Sequence, residues 1–215
     1  MSVSESRPSG LVPNDVRRRR SMQHILDVAE TRIVRSGYAA ATMDRIAADS
    51  ELTKGAVYFY FSSKETLLEA LIDRSERTIF QPGLDLLAAA EGSAADRLVA
   101  YFNYFGATTD RLGGYLLPVT VSLQFDAIPR KAHERIVRLY DQIQTQLQSV
   151  IAEGLERREF ASAVPAAEHA AMVIATMDGM LLEWHRRGDR LDGESFLRAG
   201  RQSLIGGLLG FRPPA

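Results

Sequence analysis

Cysteine is absent from the 215 residues, which excludes disulfides, thiolate metal sites and cysteine nucleophiles. Long apolar runs are absent too. Nothing approaches the roughly 18 consecutive apolar residues of a membrane-spanning helix, and the opening MSVSESRPSGLVPND is polar and proline-broken where a signal peptide carries an apolar stretch. A cytoplasmic protein with no membrane partner is expected. The four histidines, His24, His133, His169 and His185, never follow a glutamate by three residues, and HExxH does not occur; no di-iron or zinc-protease site is predicted, and no cofactor. Glu168 with His169 and Glu183 with His185 read as surface pairs rather than metal ligands. Strand-like alternation is missing, and so is any catalytic constellation after residue 80, so a non-enzyme is expected.

Net charge is nearly lacking as well, at −1, but the charges are unevenly spread. Residues 1–64 hold ten Lys/Arg against seven Asp/Glu, and the remainder sixteen against twenty. A slightly basic end on an acidic body points to an anionic partner for that end.

What is present is helical periodicity. With 46% hydrophobic residues the chain can bury a substantial core. A first helix is predicted from about Val16 to Ser36, with Ile25, Ala29 and Ile33 on one face and Gly37 as its stop. Thr42 caps a short helix through Asp49, and Thr53 caps another ending near Phe59 or Tyr60. Ser62 and Glu65 have capping-box spacing for a helix running towards Phe80, which Pro82 and Gly83 interrupt. Further helices fit about 84–90, 94–110 and 115–125, with Pro118 at a start or a kink. Ala132, Ile136, Leu139, Ile143, Leu147, Val150 and Leu155 form one long stripe. Pro165 opens a helix to about Arg187, and Asp192 caps a last one ending near Leu209. The reading is all-α: a mobile tail (1–15), a three-helix helix-turn-helix unit (16–62) and a larger helical body (63–215).

The string LTKGAVYFYF, residues 52–61, places four aromatics in a row. Val57 with Phe61 can face inward, and Phe59 is expected to join them in the core. Tyr58 and Tyr60 are expected outside, where a hydroxyl can donate to a phosphate oxygen. Gly55 removes a side chain where DNA would approach closely, and Lys54 adds charge at a helix N-terminus. Arg17, Arg18, Arg19 and Arg20 lie at the start of the first helix, where cations oppose the helix dipole. They are either a basic arm touching phosphates or the minor groove, or a solvated charge run.

Residues 41–71, ATMDRIAADSELTKGAVYFYFSSKETLLEAL, resemble the DNA-binding signature of the TetR family of transcriptional regulators, and HILDVAETRIVRSGY resembles what precedes it. The match covers about residues 20–72 and fixes Thr42, Ile46, Ala47, Lys54, Gly55, Tyr58, Phe61, Lys64 and Glu65 together. The resemblance implies a two-domain, all-helical homodimer on a double-stranded DNA operator. It implies that the helix from Thr53 to Phe59 enters a major groove, with phosphate contacts from Thr42, Tyr58, Tyr60 and Lys64 and base-edge reach from Arg45, Lys54 and Ala56. One departure stands out: Glu51 occupies a turn position where the family often has glycine, and a left-handed backbone there costs roughly 1 kcal/mol.

In the body, Ala167, Ala171, Ala175 and Gly179 recur every fourth residue, and Phe196, Gly200, Leu204, Gly207 and Leu208 share one side of the last helix. Small residues allow close helix approach, and the resemblance implies that these two helices from each subunit form a four-helix dimer interface; packing within one subunit is the alternative. Trp184 is expected to anchor packing near that interface. The resemblance also implies a small-molecule pocket, for which Phe102, Phe105, Leu123, Phe125 and Met177 are candidates for contact with a largely apolar effector. The expected function is effector-controlled repression. Activation, architectural DNA binding, and a helical enzyme or carrier with a non-DNA-binding N-terminal module remain as alternatives.

Overall fold

The computed structural model describes residues 13–89, 91–107 and 112–208. Among them every regular element is helical: α1 (Pro13–Ala40), α2 (Met43–Asp49), α3 (Lys54–Tyr60), α4 (Lys64–Ser75), a π turn (Glu76–Phe80), α5 (Gln81–Ala88), α6 (Ala94–Ala107), α7 (Leu112–Ser122), α8 (Arg130–Glu156), α9 (Ala166–Arg187) and α10 (Gly193–Gln202), which a π-type segment (Ser203–Leu208) prolongs. The tail expected for residues 1–15 lies outside the described residues up to residue 12, and Pro13 already opens α1. Among the described residues no helix is long and apolar enough to cross a membrane.

Three local expectations are corrected. The capping box sits one residue later than its sequence spacing indicates: Thr66 N–H donates to Ser63 Oγ and Ser63 N–H to Thr66 Oγ1, each at 3.1 Å. Pro82 and Gly83 do not break the helix. The wider π turn before them, closed by Gln81 N–H on Glu76 O, makes room for a proline ring in the first turn of α5. Gly83 instead lets α5 lie against the Phe105 and Tyr101 rings, 3.0 and 3.3 Å from where a Cβ would stand. His169 is no surface residue: it is buried and its Nε2 lies 2.8 Å from Ser162 Oγ.

Two apolar cores follow from the helix stripes. The first joins Ile25, Ala29 and Ile33 of α1, Ile46 of α2, Val57 of α3 and Leu67, Leu68 and Leu71 of α4. It is completed from the body by Leu117 and Val121 of α7 and Ile136 of α8. The second collects Ile79 and Phe80 of the π turn, Leu98, Tyr101 and Phe105 of α6, Tyr115 of α7, and Ile143, Leu147 and Val150 of α8. Thus α8, and the α4–π segment with α7, run through both cores, and the expected boundary at 62/63 has shared packing on its two sides.

Pro118 lies inside α7, where it deprives the Gly114 carbonyl of its helical N–H partner. The buried Ser75 hydroxyl, at the end of α4, donates to that same carbonyl at 2.5 Å. Two arginines clamp α4 further. Arg74 reaches Asp27 and Glu30 of α1 at 2.5 and 2.8 Å, and Arg135 of α8 grips Glu76 and Asp73 at 2.5 and 3.0 Å.

Candidate nucleic-acid interface and apolar crevice

Helices α2 and α3 are joined through a tight turn in which Glu51 adopts φ 55°. That is the left-handed conformation foreseen for this position, held by a side chain that disfavours it. Thr42 Oγ1 accepts Arg45 N–H at 3.3 Å and Thr53 Oγ1 accepts Ala56 N–H at 3.1 Å, so both threonines cap the helices they precede. Capping uses an oxygen lone pair and leaves each O–H able to donate outward.

Lys54 is exposed, 2.7 Å from Asp44, with its ammonium 5.9 Å from the Tyr58 ring centre. Its pKa is raised by the hydrogen bond to Asp44, but a pair this exposed contributes little to stability and is easily exchanged for another anion. Arg45 donates to Ala40 O at 3.0 Å and is exposed. A Cβ on Gly55 would meet nothing within 4 Å. Glycine in a helix costs about 1 kcal/mol relative to alanine, and no neighbour among the described residues requires it there.

The aromatic run divides otherwise than expected. Val57 and Phe61 are buried, but Phe59 is 72% exposed. It stands two residues from each of them, and two residues on a helix turn a side chain to the opposite face. Tyr58 is 41% exposed, whereas the Tyr60 ring is half-buried against the first core and meets Phe59 edge-on at 5.2 Å. Arg18 lies 6.0 Å from the Phe59 ring. Arg18, within the exposed run Arg17–Arg20, is thereby brought beside α3, a neighbourhood that no sequence spacing signals. Lys64 turns inward: its ammonium stands 3.9 Å from the Tyr38 ring centre and donates to Ala39 O at 3.3 Å. Desolvation lowers its pKa. It bridges α1 and α4, and the phosphate contact expected of it would have to use the ammonium's remaining N–H donors.

In the body, Phe102, Phe105 and Met177 border one apolar crevice, together with Tyr115, Met180 and Trp184. Its volume of about 40 Å³ exceeds that of a few waters only slightly. Leu123 and Phe125 are not part of it. Leu123 is 78% exposed beyond the end of α7, and Phe125 packs on the first core and stacks on His133 at 3.9 Å. Leu112, Tyr115, Met180, Leu181, Trp184 and Leu197 complete the lining, none of them a pocket candidate from the sequence; the Trp184 ring, expected to anchor packing near the dimer interface, fills the notch at Gly193. Beside the crevice, Tyr140 donates to Asp178 at 3.3 Å. Burial pushes the Asp178 carboxyl up to about 6, and the tyrosine bond opposes that shift only in part.

On α9, Ala171, Ala175 and Gly179 are exposed, Ala167 is half-exposed, and Met172 is 49% exposed. Gly179 resembles Gly55 in having nothing within 4 Å of a Cβ. Two residues assigned to the same surface of the last helix belong elsewhere. Leu204 is buried in the second core, and Gly200 makes room for Met180 within the chain. Phe196 is half-buried, and the Leu208 side chain lies outside the described residues. Among the described residues no cluster of His, Asp and Glu could hold a metal ion.

Comparison with known proteins agrees with this layout. Residues 25–71 match the model for bacterial regulatory proteins of the tetR family, and residues 127–206 that for the C-terminal part of BetI-type transcriptional repressors. The repressor NemR of Escherichia coli is 30% identical over 80 residues, 37% of this chain and 40% of NemR, so the match spans less than half of that protein. The repressor DhaR of a Mycobacterium species is 23% identical over 188 residues, 85% of this chain and 91% of DhaR. The crystal structure of the MbdR regulator from Azoarcus sp. CIB superposes with a TM-score of 0.80 at 32% identity, covering 88% of this chain and all of that one. The chain belongs to the TetR family of bacterial transcriptional regulators.

Proposed function

We propose that two copies of this chain form a cytoplasmic repressor that grips a pseudo-palindromic operator and releases it when a small, largely apolar effector enters the body. The observation that carries the DNA reading is Gly55: a helix glycine with open space outside it, flanked by Lys54, Tyr58 and the two capping threonines. In a dimer the two α3 helices would enter major grooves about 34–36 Å apart. Ala56, Lys54 and Arg45 face base edges, Thr42, Thr53 and Tyr58 hold phosphates, and Arg17–Arg20 with Phe59 flank them. The subunits meet through Ala171, Ala175 and Gly179, where small residues let a partner helix approach.

An effector that wedges the crevice open displaces Tyr115 and with it α7. Helix α7 is tied to α4 by Ser75 and to the corner at Gly37 by Gln124, whose Oε1 accepts Ala39 N–H at 3.5 Å. A coupling of about 1 to 3 kcal/mol suffices for regulation. Footprinting on the DNA flanking the chain's own gene tests the reading: a two-fold symmetric protected segment is expected, and protection without sequence preference, or none, would overturn it. The crevice suits a second reading, a helical carrier or enzyme, which requires ligand binding or turnover with no footprint.

A further inference from the structure

The crevice does not end at its apolar wall. Phe102 and Leu197 border it from one side and, from the other, border a groove of about 230 Å³ between α6 and α10. That groove is lined by Asn103, Glu194, Arg198 and Arg201, two guanidiniums against one carboxylate. Arg198 holds Glu194 at 2.8 Å, while Arg201 donates to the neutral Asn103 Oδ1 at 2.8 Å and has no carboxylate partner among the described residues. A guanidinium carries five N–H donors, so Arg201 keeps most of its capacity for a planar anion.

We propose that crevice and groove are the two ends of one effector site, which takes a molecule with an apolar body and a single anionic head, carboxylate or phosphate, laid on Arg201. Two side chains, Phe102 and Leu197, border both spaces. Leu197 occupies the notch left by Gly106, and α10, which carries it, has no fully buried residue of its own. Rotation of Leu197, with adjustment of the pliable Met177 and Met180, joins the two spaces. The α8 side of α9 reinforces the polarity. Asp178, the neighbour of Met177, presents a carboxylate there against Tyr140, which repels an anion and leaves the arginine end as the place for the head.

This assignment rests on the reading of the body as an effector domain, and its test needs no DNA. Trp184 is the only tryptophan and lines the crevice, so its fluorescence reports occupancy in the full-length protein. Titration with decanoate, decyl phosphate, decan-1-ol and decylamine compares heads on one body. Both anions are expected to bind about tenfold or more tightly than the alcohol and the amine, the size of one charge-assisted hydrogen bond. Arg201→Gln should remove that preference and leave decan-1-ol binding unchanged, and Arg201→Lys should keep part of it. The two anions distinguish carboxylate from phosphate. Equal affinities across the set, a preference for the amine, no saturable response, or an anion preference that survives in Arg201→Gln each overturn the proposal. A missing operator footprint would overturn only the DNA reading, and a failed titration only the ligand class.

Discussion

Removing the Ser75 hydroxyl tests the joint between α4 and α7 with a sign that depends on a second residue. In the native chain the Gly114 carbonyl cannot receive the N–H four residues on, because residue 118 is proline, and Ser75 Oγ supplies the donor at 2.5 Å in a fully buried setting. Ser75→Ala leaves that carbonyl unsatisfied, at a cost of about 1 to 3 kcal/mol. For a chain of this size that corresponds to a fall in Tm on the order of 2 to 12 °C. Pro118→Ala restores a backbone N–H that can reach Gly114 O within α7. In that background Ser75→Ala should cost about 1 kcal/mol less than in the native chain.

Urea denaturation of the four proteins, native, two single variants and the double, measures the coupling directly. A double variant whose destabilisation equals the sum of the singles would refute the claim that hydroxyl and proline serve the same carbonyl. The functional counterpart is measurable on the same proteins. Ser75→Ala should loosen the tie between crevice and reading helices, so that effector binding persists while its effect on operator affinity shrinks. An unchanged effector response would leave the joint a matter of stability alone.

Other perturbations follow from single contacts. Lys54→Ala and Tyr58→Phe should each weaken operator binding about tenfold with unaltered melting curves, and Lys54→Ala, which alone removes a charge, should also reduce its salt dependence; unchanged binding in both would remove α3 from the interface. Glu51→Gly should stabilise the chain by roughly 1 kcal/mol, since it relieves a left-handed side chain, and should tighten DNA binding by removing a negative charge, as a melting curve and a titration would show. Asp178 is raised from an ordinary 3.8 to about 6, so the folded state holds its proton more firmly than the unfolded chain. Its contribution is therefore favourable below pH 4 and lost as pH rises towards 6, by up to about 3 kcal/mol. Asp178→Asn should flatten the stability profile between pH 4 and 7, and a profile identical to the native one would show the carboxyl to be well solvated.

How much of this was legible in the sequence depends on whether local spacing decided the outcome. The caps at Thr42 and Thr53 and the stripe of α8 are set by neighbours three to seven residues away, and the structure has them where periodicity indicates. The spacing of Phe59 decides against its apolar character: Val57 and Phe61 fill the inward face, and a residue two positions from each points to solvent. Pro82 suggests a helix end, as proline usually does, and nothing local announces the π turn that accommodates it. The crevice was legible only in part. Phe102, Phe105 and Met177 are large apolar residues in the body, but Leu123 and Phe125 have the same character and lie outside, because what separates the sets is the packing of α7 on α9. The neighbours Leu197 and Trp184 depend on the glycines opposite them, which no single helix reveals.

The shared cores bear on how the parts of the molecule influence one another. A helix-turn-helix unit with a core of its own would isolate α3 from events in the body. Here Leu117 and Val121 of α7 are packed among Ile25, Ile33 and Leu71, while Tyr115, two residues from Leu117, packs among Phe80 and Phe105 at the crevice wall. A close-packed interior does not absorb a displaced helix without moving its neighbours. A displacement of Tyr115 would therefore carry Leu117, two residues on in the same helix, against the residues of α1 and α4 in the first core. Leu117→Ala tests this route: the cavity would cost about 2 to 5 kcal/mol of stability. If transmission runs through packing, the effector should also lose its hold on operator affinity at temperatures where the variant remains folded. Full retention of the effector response in a folded Leu117→Ala protein would place the coupling outside α7, in the π turn or in the dimer.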